Sequence, residues 1–116
     1  MRHRHKGKTL DRARQPRRLM LRNLASSVIL YEKVTTTLAR AKAVQPIVDR
    51  AIVLGKTDSL LARRRLLEVL PVRTAVAKTL EVLGVRYKDR QGGYTRVVRL
   101  GRRLGDGAET VRLELV

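Results

Sequence analysis

The stretch Val111-Arg112-Leu113-Glu114-Leu115 decides the fold. Its apolar residues alternate with charged ones, which is the period of a β-strand with one buried side and one solvent-facing side. A second strand is predicted at Tyr94–Leu100, and the segment Gly101–Gly107 between the two is rich in turn residues. Two antiparallel strands are marginally stable alone. The β-branched stretch Lys33–Thr36 is therefore expected to join them in a small three-stranded sheet.

Apolar residues at helical spacing predict about four helices before these last two strands. Pro16 suits the first turn of a helix that begins near Arg17. A hydroxyl of Thr36-Thr37 is expected to cap the second helix by accepting a hydrogen bond from an otherwise unpaired backbone N–H. Pro46 lies inside this helix, and an interior proline costs about 3 kcal/mol or kinks the helix. We expect a bend near Lys42 rather than two separate helices.

Glycine and proline divide the remaining helical region. Gly55 is a natural stop for the second helix, and Thr57-Asp58 offers a cap for a short third one. Pro71 separates this helix from a fourth, which Gly84 is expected to end. Helices packed on a small antiparallel sheet make an α+β domain.

The N-terminal segment differs from the rest of the chain. Residues 1–18 carry eight Lys or Arg side chains against one acid, and Leu10 is their only large apolar residue besides Met1. Such a segment cannot bury enough apolar surface to offset the entropy of ordering itself. It is expected to become ordered only against a polyanion. The sequence thus predicts a basic extended arm, residues 1–16, and one folded domain, residues 17–116.

Composition bounds the possible functions. The chain of 116 residues has 27 Lys or Arg against 10 Asp or Glu, a net charge of +17. Beyond residue 18 there are still 19 basic residues against nine acids, and repulsion on this scale favours a polyanionic partner. No cysteine is present, which excludes disulfides, thiolate metal sites and a Cys nucleophile. No stretch has the pattern of a signal peptide or a membrane span, so a cytoplasmic protein is expected.

Catalytic and metal-binding patterns are weak. His3 and His5 form a His-x-His pair, but Arg2, Arg4 and Lys6 flank it, and their positive field opposes a divalent cation. The acids are scattered along the chain, and neither a P-loop nor a dinucleotide-binding glycine motif occurs. We therefore expect no enzymatic activity, no metal, no cofactor and no small-molecule substrate.

Charge combined with aromatic residues points to RNA. The segment Arg86–Arg103 holds seven basic residues, one acid and the two tyrosines Tyr87 and Tyr94. Unstacked RNA bases lie on aromatic rings while guanidinium groups contact phosphates. Tyr94 can instead be a core or edge-strand residue. The run Arg63-Arg64-Arg65 has two readings as well, an RNA contact or a solvated helix surface.

Three motifs resemble one known family. The start Met1-Arg2-His3-Arg4, the stretch Val34-Thr35-Thr36-Thr37-Leu38-Ala39-Arg40-Ala41-Lys42 and the block Gly92-Gly93-Tyr94-Thr95-Arg96 are similar to the bacterial large-subunit ribosomal protein L17 family. The resemblance runs in order over essentially the whole chain.

This resemblance implies a structural component of the large ribosomal subunit that binds 23S ribosomal RNA. In that family the protein lies on the solvent side near the nascent-chain exit, beside other ribosomal proteins, and its α+β fold has an extended basic N-terminus. Two departures are visible. Some relatives carry a longer polar or acidic tail where this sequence ends at Val116, and some have no proline at the position of Pro46.

The expected mechanism is electrostatic positioning. The domain docks on folded RNA while the arm enters between RNA helices, and most contacts position rather than specify. Alternatives are a free nucleoid or RNA chaperone protein, an RNA-processing enzyme and a basic amphipathic membrane binder. The residues predicted to bind RNA are basic or hydroxyl-bearing, with one tyrosine: Arg2, His3, Arg4, His5, Lys6, Lys8, Arg12, Arg14, Arg17, Arg18, Arg22, Thr35, Thr36, Arg40, Lys42, Arg63, Arg64, Tyr94, Arg96, Arg99, Arg102 and Arg103.

Overall fold

A computed structural model describes residues 9–10 and 12–116. Within this part of the chain, helices precede and follow a first strand, and a hairpin of two strands ends the chain. The elements are α1 (Arg14–Tyr31), β1 (Lys33–Thr37), α2 (Leu38–Gly55), α3 (Leu60–Val69), α4 (Arg73–Lys78), a π-helical turn (Thr79–Leu83), α5 (Gly84–Arg86), β2 (Thr95–Arg102) and β3 (Glu109–Leu115).

The C-terminal strand is the centre of the sheet. All three strands are antiparallel in the order β1-β3-β2, with Leu113 paired to Val34 on one side and Val97 on the other. The predicted three-stranded sheet is confirmed. β2 runs farther than expected because the pairing shifts between Arg99 and Gly101, a β-bulge that carries the strand into the predicted turn.

Alternation along β3 separates a core from a charged surface. Val111 and Leu113 are fully buried and face α1 and α2, whereas Arg112 and Glu114 belong to the opposite face. The core is aliphatic apart from Tyr87 and Tyr94, whose rings meet edge to face with centroids 5.3 Å apart. This arrangement confirms the α+β class. The division into an arm and a domain stays a prediction.

The predicted helix starts need correction. α1 begins at Arg14 rather than near Arg17. Thr37 occupies the N-cap position of α2 with extended backbone angles, but its hydroxyl makes no capping hydrogen bond. Ser59 rather than Thr57-Asp58 caps α3, because its Oγ accepts from the Ala62 N–H at 3.1 Å.

The prediction for Pro46 is confirmed in part, while that for Gly84 is wrong. α2 is one helix with Pro46 inside it, and the bend near Lys42 stays a prediction. Gly84 does not end a helix, since α4, the π-helical turn and α5 follow one another without a break. A Cβ on Gly84 would overlap the carbonyl oxygen of Gly55. The glycine therefore permits close packing of two helices and does not act as a terminator.

Glu32 connects the end of α1 to the helical segment 73–86, which is formed by α4, the π-helical turn and α5. It ends α1 in the left-handed conformation (φ 64°), and its N–H donates to the Val28 carbonyl at 2.8 Å. Its carboxylate pairs with Arg86 and lies 3.4 Å from Lys78 Nζ. The hydrogen bond from Arg86 is the main reason that the pKa of Glu32 is lowered.

Candidate nucleic-acid interface

A row of arginines runs along α1. Arg14, Arg18 and Arg22 are four residues apart and therefore share one face of the helix. Arg14 and Arg18 are exposed, and Arg22 is half-buried. Like charges at this spacing destabilise a helix by about 0.2–0.5 kcal/mol per pair. The row thus has an electrostatic cost that a bound polyanion would remove.

α2 brings a third guanidinium to two of these arginines. Arg50 on α2 lies beside Arg18 and Arg22 at a surface depression of about 180 Å³, whose remaining lining is aliphatic. We call this site the basic depression. It is lined by Arg18, Leu21, Arg22, Ile47, Arg50 and Val69. The residues predicted from the sequence to bind RNA do not include Arg50. Its position three residues after Ile47 places both residues on the same face of an amphipathic helix, and this spacing could have identified it.

Ion pairs divide the chain into two electrostatic regions. Within residues 9–10 and 12–116, every cation with a carboxylate oxygen inside 4.0 Å is at or after Lys78. No described Lys or Arg before that residue has such a partner. The paired cations are Lys78, Arg86, Arg96, Arg99, Arg103 and Arg112. Among the described residues, no carboxylate therefore competes with an external anion for the arginines of α1 and α2.

The outer face of the sheet is partly neutralised. Glu114, with its side chain only 10% exposed, accepts from Arg96 Nε at 2.6 Å and from Arg112 Nε at 3.0 Å. These contacts, led by the hydrogen bond from Arg96, lower the pKa of the carboxyl. Lys33 is the register partner of Glu114 on β1. This face stays basic, since three cations share one acid.

The β2–β3 hairpin carries two further ion pairs. Arg99 pairs with Glu109, and Arg103 pairs with Asp106. Hydrogen bonds from Arg103 and from the Ala108 N–H hold the pKa of Asp106 well below its ordinary value. Arg102 Nη1 donates to the Gly107 carbonyl at 3.2 Å. The predicted cations Arg99 and Arg103 are thus already engaged by acids within the chain.

Tyr94 is a core residue, and its predicted role in stacking on a base is wrong. Only 2% of the residue is exposed. Its hydroxyl donates to the Arg90 carbonyl at 2.9 Å and accepts from Lys56 Nζ at 2.6 Å. Lys56 Nζ also lies 4.9 Å from the centre of the ring. The tyrosine joins the end of α2 to the loop before β2 and offers no free face to RNA.

The remaining predicted residues lie at different places on the described surface. Thr35 is exposed on the outer face of the sheet opposite Arg112, while Thr36 is half-buried. Lys42 is exposed and Arg40 half-buried in the first turns of α2. Exposed side chains are also found at Arg12, Arg63, Arg64, Arg96 and Arg102, and Arg17 is half-buried. The predictions for Arg2, His3, Arg4, His5, Lys6 and Lys8 lie outside the described residues.

The described part of the chain has neither a membrane-spanning helix nor a cluster of metal-ligating side chains. Among its helices, none combines the length and the apolar character that crossing a bilayer requires. The same residues contain no group of three or more His, Cys, Asp or Glu side chains placed to hold a metal ion.

The fold and its charge define a class of protein: a small α+β domain whose helical face displays arginines with no acidic partner in the described part of the chain, as in proteins that bind polyanions. The sequence model of the family described as ribosomal protein L17 matches residues 20–116. The chain belongs to this family. Its members are structural ribosomal proteins, and the chain is accordingly not an enzyme.

Individual relatives agree over the full length of the chain. The large ribosomal subunit protein bL17 of Syntrophotalea carbinolica is 48% identical over all 116 residues, which cover 75% of that relative. The protein of the same name from Solibacter usitatus is 49% identical, with 77% of it covered. For the one from Thermomicrobium roseum the values are 46% and 99%. The resemblance noted in the sequence is thereby confirmed.

Proposed function

We propose that the chain is a structural constituent of the large ribosomal subunit that binds and stabilises 23S ribosomal RNA. Its family and the names of its relatives support the assignment to the large subunit. Bacterial ribosomes work in the cytoplasm, so the chain is a cytoplasmic protein. Neighbouring large-subunit proteins are its further proposed partners. A position near the exit of the nascent-chain tunnel is part of the proposal and is supported by the family resemblance alone.

The distribution of ion pairs is the observation that carries RNA binding. Acids of the chain engage cations from Lys78 onward, whereas the arginines of α1 and α2 have no carboxylate partner among the described residues. Unpaired guanidinium groups suit bidentate contacts with phosphates. The row Arg14, Arg18 and Arg22 would continue into the basic arm, residues 1–16, which would neutralise phosphates between RNA helices.

A salt titration tests this proposal. The full chain is titrated onto a 23S ribosomal RNA fragment at several salt concentrations, and each neutralised phosphate steepens log K against log[salt] by roughly 0.7–0.9. Removing residues 1–8, which carry four Lys or Arg, should flatten the slope by about three units. An unchanged slope would contradict the role of the arm.

Sedimentation separates this function from that of a free nucleoid or RNA chaperone protein. A subunit constituent stays with large subunits through a high-salt wash, because docking of the domain and the arm adds shape-specific contacts to the screened electrostatic ones. A protein that binds polyanions without a fixed partner is released at the same salt concentration. Release by the wash would favour the chaperone alternative.

A further inference from the structure

The basic depression combines charge with an apolar floor. Leu21, Ile47 and Val69 are partly buried and pack on the core beneath it. The guanidinium groups of Arg18, Arg22 and Arg50 form its charged part. Phosphate binding alone needs only the cations. An apolar floor of this kind favours a ligand that carries a flat, weakly polar ring next to an anionic group.

We propose that the basic depression binds one unpaired nucleotide of RNA. The base lies on the floor formed by Leu21, Ile47 and Val69, and the arginines bind the adjoining phosphates or stack on the base. This inference rests on the proposed function, because it specifies which form of RNA the same surface takes. A nucleobase fits a space of about 180 Å³, and arginine is the side chain that both stacks on bases and binds phosphate bidentately.

Regular double-stranded RNA does not satisfy this site. Its bases are stacked inside the helix, and its deep major groove is too narrow for side chains to read. A duplex can reach the arginines with its phosphates but leaves the aliphatic floor exposed to water. A nucleotide bulged from a helix or lying in a loop supplies both parts of the contact. The site therefore favours unpaired over paired RNA of the same charge.

Two other occupants fit less well. The N-terminal residues 1–8 contain four Lys or Arg and no acid, so the three arginines of the basic depression repel them. An acidic protein segment would satisfy the arginines, but its carboxylates would cover the aliphatic floor without an apolar partner. Charge complementarity excludes the first occupant, and the floor disfavours the second.

The test compares a fully paired RNA duplex with a second duplex that differs from it only by one additional, bulged adenosine. Fluorescence anisotropy measures their affinity for the full chain. Covering the aliphatic floor removes apolar surface from water, so we expect roughly tenfold tighter binding of the bulged duplex. Ile47→Gln makes the floor polar without changing the charge of the basic depression and should abolish this preference while leaving the salt dependence unchanged. Val53→Gln is the matched control, since Val53 is exposed on the same helix outside the basic depression.

Each outcome bears on a separate claim. Equal affinity of the wild type for both duplexes, or a preference that persists in Ile47→Gln, would overturn the unpaired-nucleotide site. If the full chain bound neither duplex at any salt concentration, this result would instead refute the proposed function. A hexaglutamate peptide that displaces the bulged duplex and binds the wild type and Ile47→Gln equally would assign the site to an acidic protein segment, which needs the arginines and not the floor.

A second variant covers the case in which circular dichroism shows that Ile47→Gln does not fold. Arg50→Gln leaves the floor intact and removes one of the three guanidinium groups. It should reduce the preference for the bulged duplex, whereas Arg73→Gln, an exposed position outside the basic depression, should not. Equal preferences in these two variants would also overturn the site.

Discussion

Gly84 packs directly on the backbone of Gly55. A Cβ on Gly84 would overlap the Gly55 carbonyl oxygen, and a Cβ on Gly55 would collide with the side chain and the carbonyl oxygen of Thr79. The contact joins the last turn of α2 to the helical segment 73–86 where this segment widens into a π-helical turn. The Thr79 hydroxyl donates to the Ala75 carbonyl at 2.7 Å within the same turn. Both glycines are therefore required by close approach.

Gly84→Ala should destabilise the domain by about 1–3 kcal/mol, since overpacking forces backbone shifts of that cost. The gain in helix propensity from glycine to alanine, about 1 kcal/mol, acts in the opposite direction and is smaller than the backbone clash. Urea unfolding followed by circular dichroism measures the change. Val85→Ala is the control, because its side chain is 70% exposed on the next position and should stay within about 0.5 kcal/mol. A Gly84→Ala protein as stable as the wild type would contradict the close packing.

The hydroxyl of Tyr94 gives a second prediction. It accepts a hydrogen bond from Lys56 Nζ and donates one to the Arg90 carbonyl, and the residue is almost completely buried. Tyr94→Phe should reduce the free energy of unfolding by about 1 kcal/mol, the usual net value of such a hydrogen bond. Tyr31→Phe should change nothing, because Tyr31 is 72% exposed. Equal melting temperatures of both variants and the wild type would show that the hydroxyl contributes no stability.

The strands could be predicted because their signal is local. Alternation in residues 111–115 and the turn residues of segment 101–107 fix the hairpin without knowledge of the rest of the chain. Gly84 was mispredicted because a glycine that ends a helix and a glycine that admits a neighbouring backbone look alike in one sequence. Only the position of Gly55 in space separates the two readings.

The sequence predicted the positive charge of the site but not which arginines come together in it. The surplus of arginines in residues 12–22 follows from the sequence, but the meeting of Arg50 with Arg18 and Arg22 depends on how α1 packs against α2. Tyr94 shows the same limit. The sequence left an RNA contact and a core position both open for it, and its contacts with the ring of Tyr87 and with Lys56, which is distant in the sequence, decide for the core.

Glu114 predicts a loss of stability in acid. Arg96 and Arg112 lower its pKa in the folded protein from the ordinary value of 4.5. The ionised carboxylate therefore stabilises the fold above pH 4.5, and this stabilisation is lost as the pH falls through the lowered pKa. Glu114→Gln should therefore be less stable than the wild type at neutral pH. The difference should shrink as the pH falls below 4.5 and through the lowered pKa of the folded protein. Urea unfolding at each pH measures it, and a pH-independent difference would contradict the ion-pair origin.

Asp49 should have the opposite effect on the pH dependence of the free energy of unfolding. Burial raises the pKa of its carboxyl above 3.8, against a weak hydrogen bond from the Thr95 hydroxyl at 3.4 Å. Ionisation of Asp49 then costs folded-state stability at neutral pH, and the cost vanishes on acidification. Asp49→Asn should be more stable than the wild type at neutral pH and should lose this advantage at low pH. A destabilised Asn variant at neutral pH would show that the carboxylate is held favourably instead.

Arg18 and Arg103 separate free from internally paired cations in RNA binding. Arg18 has no carboxylate partner among the described residues, whereas Arg103 pairs with Asp106. Arg18→Gln should lower the slope of log K against log[salt] by roughly 0.7–0.9, the loss of one phosphate contact. The double variant Arg103→Gln with Asp106→Asn keeps the net charge and should leave the slope unchanged. A reduced slope in the double variant would mean that Arg103 leaves Asp106 to contact phosphate, and the division of the surface into free and engaged cations would then fail.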